Sequence, residues 1–538
     1  MSLEKMTSTQ ENEKGQRKPR QLVFVMVDTQ RWDMVGCYGN KDMHTPGIDG
    51  LAARGLLFEK AYSCQPVCGP ARSAIFTGFF PHSNGSWGNS MPLGANVRTV
   101  GRRLQDAGVQ TAYIGKYHLD GGDYFGLGKS DGDWDPETWY DMRNYLEELG
   151  SDEERYRSRQ TGIMLKEEVK PEETFCYRMT ERAIAYMQAH QNEDYLLVVS
   201  YDEPHGPSLC PEPYASMYKD YCFPKGPAIW DDLKDKPDYQ RVWSNGHEHD
   251  DKDSLEIRAR FLLGCNSYVD SQIDRLHKAI QELAGDAMII YTSDHGDFMH
   301  GHSLSAKGPA IYEEITHVPL IIVDPEHPEP RRTQQLASHI DMTPTMLAHF
   351  GVKQPEQIEG RPLQALVADA SATVNEEIFM EFGRYEIDHD GFGGFQPLRA
   401  IYDGRYKLSI NLLSGDELYD MQEDPGEVKN LIEAEETAEI RNDLHDRLLA
   451  WMDRTRDPFR GYYWENRPWR KDAPAPSWDN HYMTRQRVDS AYEARQLDYS
   501  TGLEIIEATR FKTGRYPVEY QDYLKQLQTE EDAKLSQD

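Results

Sequence analysis

The stretch Cys68-Gly69-Pro70-Ala71-Arg72-Ser73-Ala74-Ile75-Phe76-Thr77-Gly78 gathers groups that can do chemistry. Pro70 suits the first turn of a helix, where its missing N–H costs nothing, and Gly78 suits the helix end. Cys68 then stands at the helix N-terminus, where unpaired N–H groups and the helix dipole favour an anion. Arg72, one turn on, falls on the same face as Cys68. A nucleophile, a fixed cation and a dipole would point at one spot. The plain alternative is a buried cysteine opening an ordinary helix, so the rest of the chain has to decide.

Other ionisable residues stand just beyond apolar runs. Residues 21–27 end in Asp28, 111–115 deliver Lys116 and His118, 195–201 lead to His205, and 287–293 end in Asp294-His295. The length and branched residues of these runs are those of buried parallel strands. Further strands are expected at 56–62 and 318–323. Helical patterns lie between them, at 46–55, 97–107, 174–190, a long segment ending near 284, and 341–350. The alternation predicts an α/β fold, a doubly wound, mostly parallel sheet flanked by helices. Sheets of that kind bind ligands beyond the carboxyl ends of their strands, where all these ionisable groups fall.

Bulk properties narrow the partners. The 538 residues are 38% hydrophobic and carry a net charge of −32, which excludes nucleic acid and anionic membrane surfaces and disfavours long sulfated polymers. Small anions entering a local basic pocket remain. No run approaches the roughly twenty apolar residues that span a bilayer, and residues 1–20 are polar without the apolar core of a signal peptide. Seven cysteines, an odd number without a disulfide framework, lead us to expect the cytoplasm.

The motif C-x-P-x-R followed by Thr77-Gly78 resembles the signature of type I sulfatases, in which the cysteine is oxidised to formylglycine. The resemblance spans most of residues 21–455: Asp28, Gly115-Lys116-Tyr117-His118-Leu119, His205 before Gly206-Pro207, Asp294-His295, and His302 through Lys307, in that order. It implies the alkaline-phosphatase-like fold and a sulfuric ester hydrolase acting on a small sulfate ester, with a sulfated sugar as the candidate, through a matured Cys68. Asp28, Asp294, His295 and the converted Cys68 would hold one divalent metal, an oxygen set plus one nitrogen. Calcium is the family's majority ion, with manganese and magnesium as alternatives. Taken singly, the alternative for each strand-end aspartate is that it caps the following turn. By the same resemblance Arg72 would hold the nucleophilic oxygen, Lys116 and Lys307 would bind sulfate, His118 would help expel it, and His205 would protonate or orient the leaving oxygen. The implied partners are the sulfate ester and a formylglycine-generating enzyme. The chemistry asks for such a set: an anionic electrophile with a poor leaving group needs an activated nucleophile, cations and a proton donor.

Two positions depart from the usual pattern. Thr29 and His295 stand where many sulfatases carry a second Asp and an Asn, and a histidine there resembles the choline-sulfatase and phosphonate-monoester-hydrolase branches. Asn89 is a further candidate substrate contact, or simply a loop asparagine. The alternatives are a phosphonate or phosphate ester hydrolase on the same scaffold and a catalytically silent metal-binding protein. Asp131-x-Asp133-x-Asp135 lacks the glycine and glutamate of a calcium loop; His247-Glu248 lacks the second histidine of a zinc motif. Residues 398–411 read as a hairpin about Asp403-Gly404, followed by a strand at 417–420 and a helix to about 452. The expected division is a flexible lead-in at 1–20, a catalytic α/β domain at 21–370 and a C-terminal antiparallel α+β subdomain at 371–455. An aromatic, Pro-rich extension at 456–538 then wraps the body or supports a homo-oligomer.

Overall fold

The computed structural model describes residues 17–89, 91–386 and 394–470, with positions 497, 502 and 525. Its frame is strand β1 (Gln21–Asp28), buried along its whole length. Side chains alternate across a strand, and β1 divides its apolar residues between two cores. Val23, Val25 and Val27 pack with the helices Pro46–Ala52, Phe175–Ala189 and Arg260–Leu283. Leu22, Phe24 and Met26 pack with Cys68–Thr77, Val100–Asp106 and Met342–Phe350 on the other face. Both faces are covered, which is why the strand reads as a continuous apolar run.

The remaining strands of this sheet are β2 (Leu56–Tyr62), β3 (Gln110–Gly115), β4 (Tyr195–Pro204), β5 (Met288–Ser293), β6 (Leu320–Val323) and β7 (Arg331–Ser338). Their order is β3-β4-β1-β5-β6-β2-β7. β6 runs antiparallel to both its neighbours; the other pairings are parallel. A four-residue apolar run carries no directional signal, so the reversal of β6 is not readable from sequence. Nor is β7, RRTQQLAS, which is partly exposed at the sheet edge and lacks an apolar pattern. β4 continues three residues past the expected end at Tyr201 and so carries Asp202 and Glu203 into the strand.

The second sheet joins β8 (Ile378–Arg384), β9 (Phe395–Tyr402), β10 (Tyr406–Asn411) and β11 (Glu417–Asp420) in the order β11-β10-β9-β8, all antiparallel. The β9–β10 turn falls where expected. Asp403 Oδ1 accepts the N–H groups of Arg405 and Tyr406 at 2.9 and 2.7 Å, and Gly404 takes a positive φ of 94°. The helix Ala438–Thr455 lays Leu444, Leu448 and Trp451 on this sheet. Trp464 and Trp469, from the start of the extension, join the same core. Residues 17–20, expected in a flexible lead-in, are tied to the main sheet: Arg17 and the Arg20 N–H both bond Asp194. The rest of the lead-in and nearly all of the extension beyond 470 lie outside the described residues. Among the described residues no helix is long and apolar enough to cross a membrane.

Candidate active site

The helix Cys68–Thr77 starts against the carboxyl edge of the main sheet and ends on Gly78 with φ 72°. No side chain caps its N-terminus; instead Asn89 Oδ1 accepts the Gly69 N–H at 2.9 Å. Asn89 therefore spends its carbonyl oxygen on the helix that presents Cys68. One turn into the helix, Arg72 is fully buried and uses all five of its N–H donors. Nε and Nη2 donate to Asp294 Oδ2 at 3.2 and 3.0 Å, and Nη2 also to Asp28 Oδ2 at 3.0 Å. Nη1 donates to the Lys116 carbonyl and to Ser200 Oγ, both at 2.6 Å. One guanidinium thus ties together the ends of β1, β3, β4 and β5. It has no donor left for an oxygen at position 68, the role the resemblance gave it, and it borders that position only through the two aspartates.

Cys68 Sγ is the point of convergence. Lys307 Nζ lies at 3.0 Å, His295 Nε2 at 3.3 Å, Lys116 Nζ at 3.8 Å and Asp28 Oδ1 at 3.9 Å. Burial and Asp28 push the thiol up, yet Lys116, Lys307 and His295 together bring it well below the ordinary cysteine value. The cations gathered here favour an anion at this position. Donor atoms of Asp28, Cys68, Asp294 and His295 all lie within 4.8 Å of one another, and all four residues are buried. His295 Nδ1 sits 2.8 Å from the Gly296 carbonyl, which can only accept, so Nδ1 carries a hydrogen; against the cost of burial, Asp294 and Cys68 raise the ring, and a bound cation would take the place of the second proton on Nε2. Burial, with the charge of Asp28 added to it, pushes Asp294 up to about 7. Two carboxylates crowded with one imidazole lone pair are a donor set that a divalent cation satisfies, and the residues fit one. Thr29 braces this set: its hydroxyl donates to Asp28 Oδ1 at 2.7 Å and its N–H to Asp294 Oδ1 at 3.2 Å. It does so from a left-handed backbone with φ 63°, one of the strained non-glycine conformations that collect at functional sites.

Lys116, His118 and His205 gather about Tyr124; Lys116 is buried and the two histidines are partly exposed. Gly115, at φ 124°, packs so closely that a Cβ there would lie 2.0 Å from the Ser200 carbonyl, and this contact aims Lys116 inward. Lys116 Nζ bonds Asp28 Oδ2 at 2.8 Å, Asp202 Oδ1 at 3.1 Å and the Tyr124 hydroxyl at 2.9 Å. His118 adopts φ 60°, and its Nδ1 is buried with no partner among the described residues. His205 Nδ1 lies 2.9 Å from the Tyr124 hydroxyl and 3.0 Å from the Gly206 carbonyl. Burial, then Lys116 and Lys307, lower His205 to about 4.

Tyr124 and Asp202 were not among the residues singled out in the sequence, although Asp202 obeys the same strand-end rule as Asp28. Tyr124 lies in the acidic insertion at 119–173, which has no legible pattern. Its hydroxyl nevertheless fixes the local proton arrangement. Lys116 can only donate to it, and Asp202, held ionised by Lys116 against the cost of burial, can only accept from it. The remaining lone pair must take a hydrogen from His205 Nδ1. His205 is therefore the Nδ1–H tautomer, with Nε2 bare.

Comparison with known proteins identifies the family. The sulfatase family model matches residues 20–352, and that of the N-sulphoglucosamine sulphohydrolase C-terminal region matches 306–454. The chain belongs to the sulfatase family. It is 42% identical over 490 residues to the uncharacterised sulfatase YidJ of Escherichia coli (strain K12), covering 90% of this chain and 96% of that one. It is 24% identical over 521 residues to an N-acetylglucosamine-6-O-sulfatase of Bacteroides thetaiotaomicron, covering 83% and 88%. Among solved structures, one in complex with its substrate D-glucosamine-2-N,6-O-disulfate superposes with a TM-score of 0.67 at 20% identity, over 82% of this chain and 99% of the other. The phosphonate monoester hydrolase of Agrobacterium radiobacter also gives 0.67, at 22% identity over 81% and 96%. The fold is that of the alkaline-phosphatase-like sulfatases, and the protein is an enzyme of that family.

Proposed function

We propose that this sulfatase-family enzyme hydrolyses the sulfate ester of a small sulfated sugar, with Cys68 matured to formylglycine by a generating enzyme. One divalent cation would be held by Asp28, Asp294, His295 and position 68. The observation that carries this reading is the meeting of Lys307, Lys116, His295 and Asp28 on Cys68 Sγ. Sγ stands in for a hydroxyl oxygen of the hydrated aldehyde. When bound, the cation supplies positive charge that favours the deprotonated form of that hydroxyl; calcium is the family's usual ion, and the N/O donor set also suits manganese or magnesium.

The chain's own residues do the rest. Lys116 and Lys307 flank the nucleophile's position and neutralise the non-bridging sulfate oxygens as charge shifts in the transition state. His205, with hydrogen on Nδ1, has Nε2 to hold a proton for the departing sugar oxygen. An incoming sulfate ester adds negative charge opposite the two lysines that depress His205, which raises its affinity for that proton. His118 Nδ1, without a partner among the described residues, is the group left to assist release of sulfate. The sugar is supported by the named relatives, one acting on N-acetylglucosamine 6-O-sulfate and one bound to glucosamine disulfate. The net charge of −32 supports a small ester over a long polyanion. Seven free cysteines support a reducing compartment, the cytoplasm.

The test is sulfate release from an aryl sulfate and from glucosamine 6-sulfate by protein co-expressed with a formylglycine-generating enzyme. Wild type should release sulfate and Cys68→Ala should not. The second reading, a phosphonate ester hydrolase, is favoured by the histidine at position 295 and by the shared fold. It replaces the first if aryl phosphonate turns over faster than aryl sulfate.

A further inference from the structure

A second buried cluster lies behind the loop that delivers Lys307. His302 turns inward with φ 53° and stacks on Tyr312 at 3.9 Å between ring centres. Its Nδ1 is 2.7 Å from Asp231 Oδ2. Asp231 has a second cation beside it, Lys236 Nζ at 3.3 Å, and is held ionised. Nδ1 therefore donates, and in the neutral ring the lone pair is on Nε2. That atom faces Glu314 Oε2 at 3.4 Å, and among the described residues neither has a closer hydrogen-bond partner. Glu427, from the C-terminal part of the chain, brings Oε1 to the same place. The three donor atoms lie within 4.8 Å of one another. Glu427 Oε1 is ion-paired with Lys407 Nζ at 2.7 Å, while Oε2 accepts the Glu313 N–H at 2.8 Å. Exposure of His302, Glu314 and Glu427 is 0%, 9% and 1%.

We propose that His302 Nε2, Glu314 Oε2 and Glu427 Oε1 bind a divalent transition cation of the zinc or manganese class, distinct from the ion at Asp28, Asp294 and His295. Three features support it together. An imidazole that donates one nitrogen to a carboxylate and offers the other outward is the usual arrangement of a ligating histidine. Ligand bonds of about 2.0–2.2 Å in a tetrahedral site put neighbouring donors about 3.4 Å apart, which is the observed spacing of Nε2 and Glu314 Oε2. One nitrogen and two carboxylate oxygens select zinc or manganese over calcium. Lys407 offsets part of the charge on Glu427 and Lys236 part of that on Asp231, which leaves the charge on Glu314. The ion would fasten the Lys307 loop and the Glu313–Thr316 turn to the C-terminal subdomain. The competing arrangement is a protonated His302 shared between Asp231 and Glu314, which needs no ion.

Counting bound metal separates the two. The full chain, stripped with a chelator, is dialysed against Zn2+ or Mn2+ alone, and bound metal is measured by elemental analysis. Wild type should hold two ions, Glu314→Gln and Glu427→Gln one each, Asp294→Asn one, and Asp294→Asn with Glu427→Gln none. A single ion in wild type, retained in Glu314→Gln and Glu427→Gln and lost in Asp294→Asn, would mean an imidazolium only and overturn the proposal. The wild-type count decides by itself if a variant fails to fold, and it does not depend on turnover of any ester.

Discussion

The hydroxyl of Tyr124 offers a sharp test of the site, because Tyr124→Phe removes one oxygen and keeps the ring. The ring matters on its own, since Lys116 Nζ lies 4.2 Å from its centre and Phe preserves that contact. Each partner of the hydroxyl also keeps another bond: Lys116 retains Asp28 and Asp202, His205 Nδ1 retains the Gly206 carbonyl, and Asp202 retains Lys116. The fold should therefore tolerate the change, with a melting midpoint close to wild type. What is lost is a hydrogen bond to an ionised group, worth about 1.5–3 kcal/mol, in a network that orients Lys116 and His205. Expressed in the transition state, that is roughly a 10- to 150-fold fall in kcat/KM, at about 1.4 kcal/mol per tenfold. Steady-state kinetics on an aryl sulfate across pH is the assay. The alkaline limb should also move, because His205 loses one of the two acceptors that hold its Nδ1 hydrogen. A kcat/KM within twofold of wild type, with an unchanged pH profile, would refute the reasoning and leave Tyr124 as packing alone.

Other substitutions probe other links. Lys307→Met removes the cation nearest Cys68 Sγ, and turnover of the matured enzyme should fall about 10²- to 10³-fold; a loss under fivefold, read by sulfate release, would exclude Lys307 from transition-state stabilisation. Arg72→Met leaves two buried carboxylates without their shared partner, at a cost of about 3–5 kcal/mol. Its melting midpoint should drop in chelator and recover in part with saturating divalent cation, whereas equal drops in both would mean that no cation shares the carboxylates' charge. Asp270 accepts the Gly47 and Ile48 N–H groups at 2.9 and 2.8 Å, but burial still pushes it up to about 8. The folded value lies above the unfolded value of about 3.9, so the stability it contributes is complete below about pH 4 and is lost as pH rises through 8. Asp270→Asn should flatten the fall in melting midpoint across that window; an unaltered slope would place the pH dependence elsewhere.

Much of the site was legible because apolar runs ending in ionisable residues are conspicuous. Asp28, Lys116, His118 and Asp294-His295 stand at the ends of strands that burial on both faces forces to be continuously apolar. The helix carrying Cys68 and Arg72 announced itself through Pro70 and Gly78. What Arg72 does was not legible: spacing placed it on the face of Cys68, but its donors are consumed by groups from four different strands. Lys307 entered only through family resemblance, because the loop before it, with left-handed residues at His300, His302, Ser303 and Ala306, has no periodicity to read. Tyr124 was invisible for the same reason. β7 and β6 mark the limit for the fold: an edge strand need not be apolar, and a short buried strand does not disclose its direction.

The oxygen nucleophile of the proposed sulfate ester hydrolase is Cys68 after its oxidation. Mass spectrometry of the Cys68 peptide, made on the same preparations whose sulfatase activity is assayed, tests it most directly. Across preparations with and without the maturation enzyme, activity should rise in proportion to the fraction of peptide carrying the aldehyde, and be absent where the thiol is intact. Full sulfatase activity from protein whose Cys68 remains a thiol would contradict it.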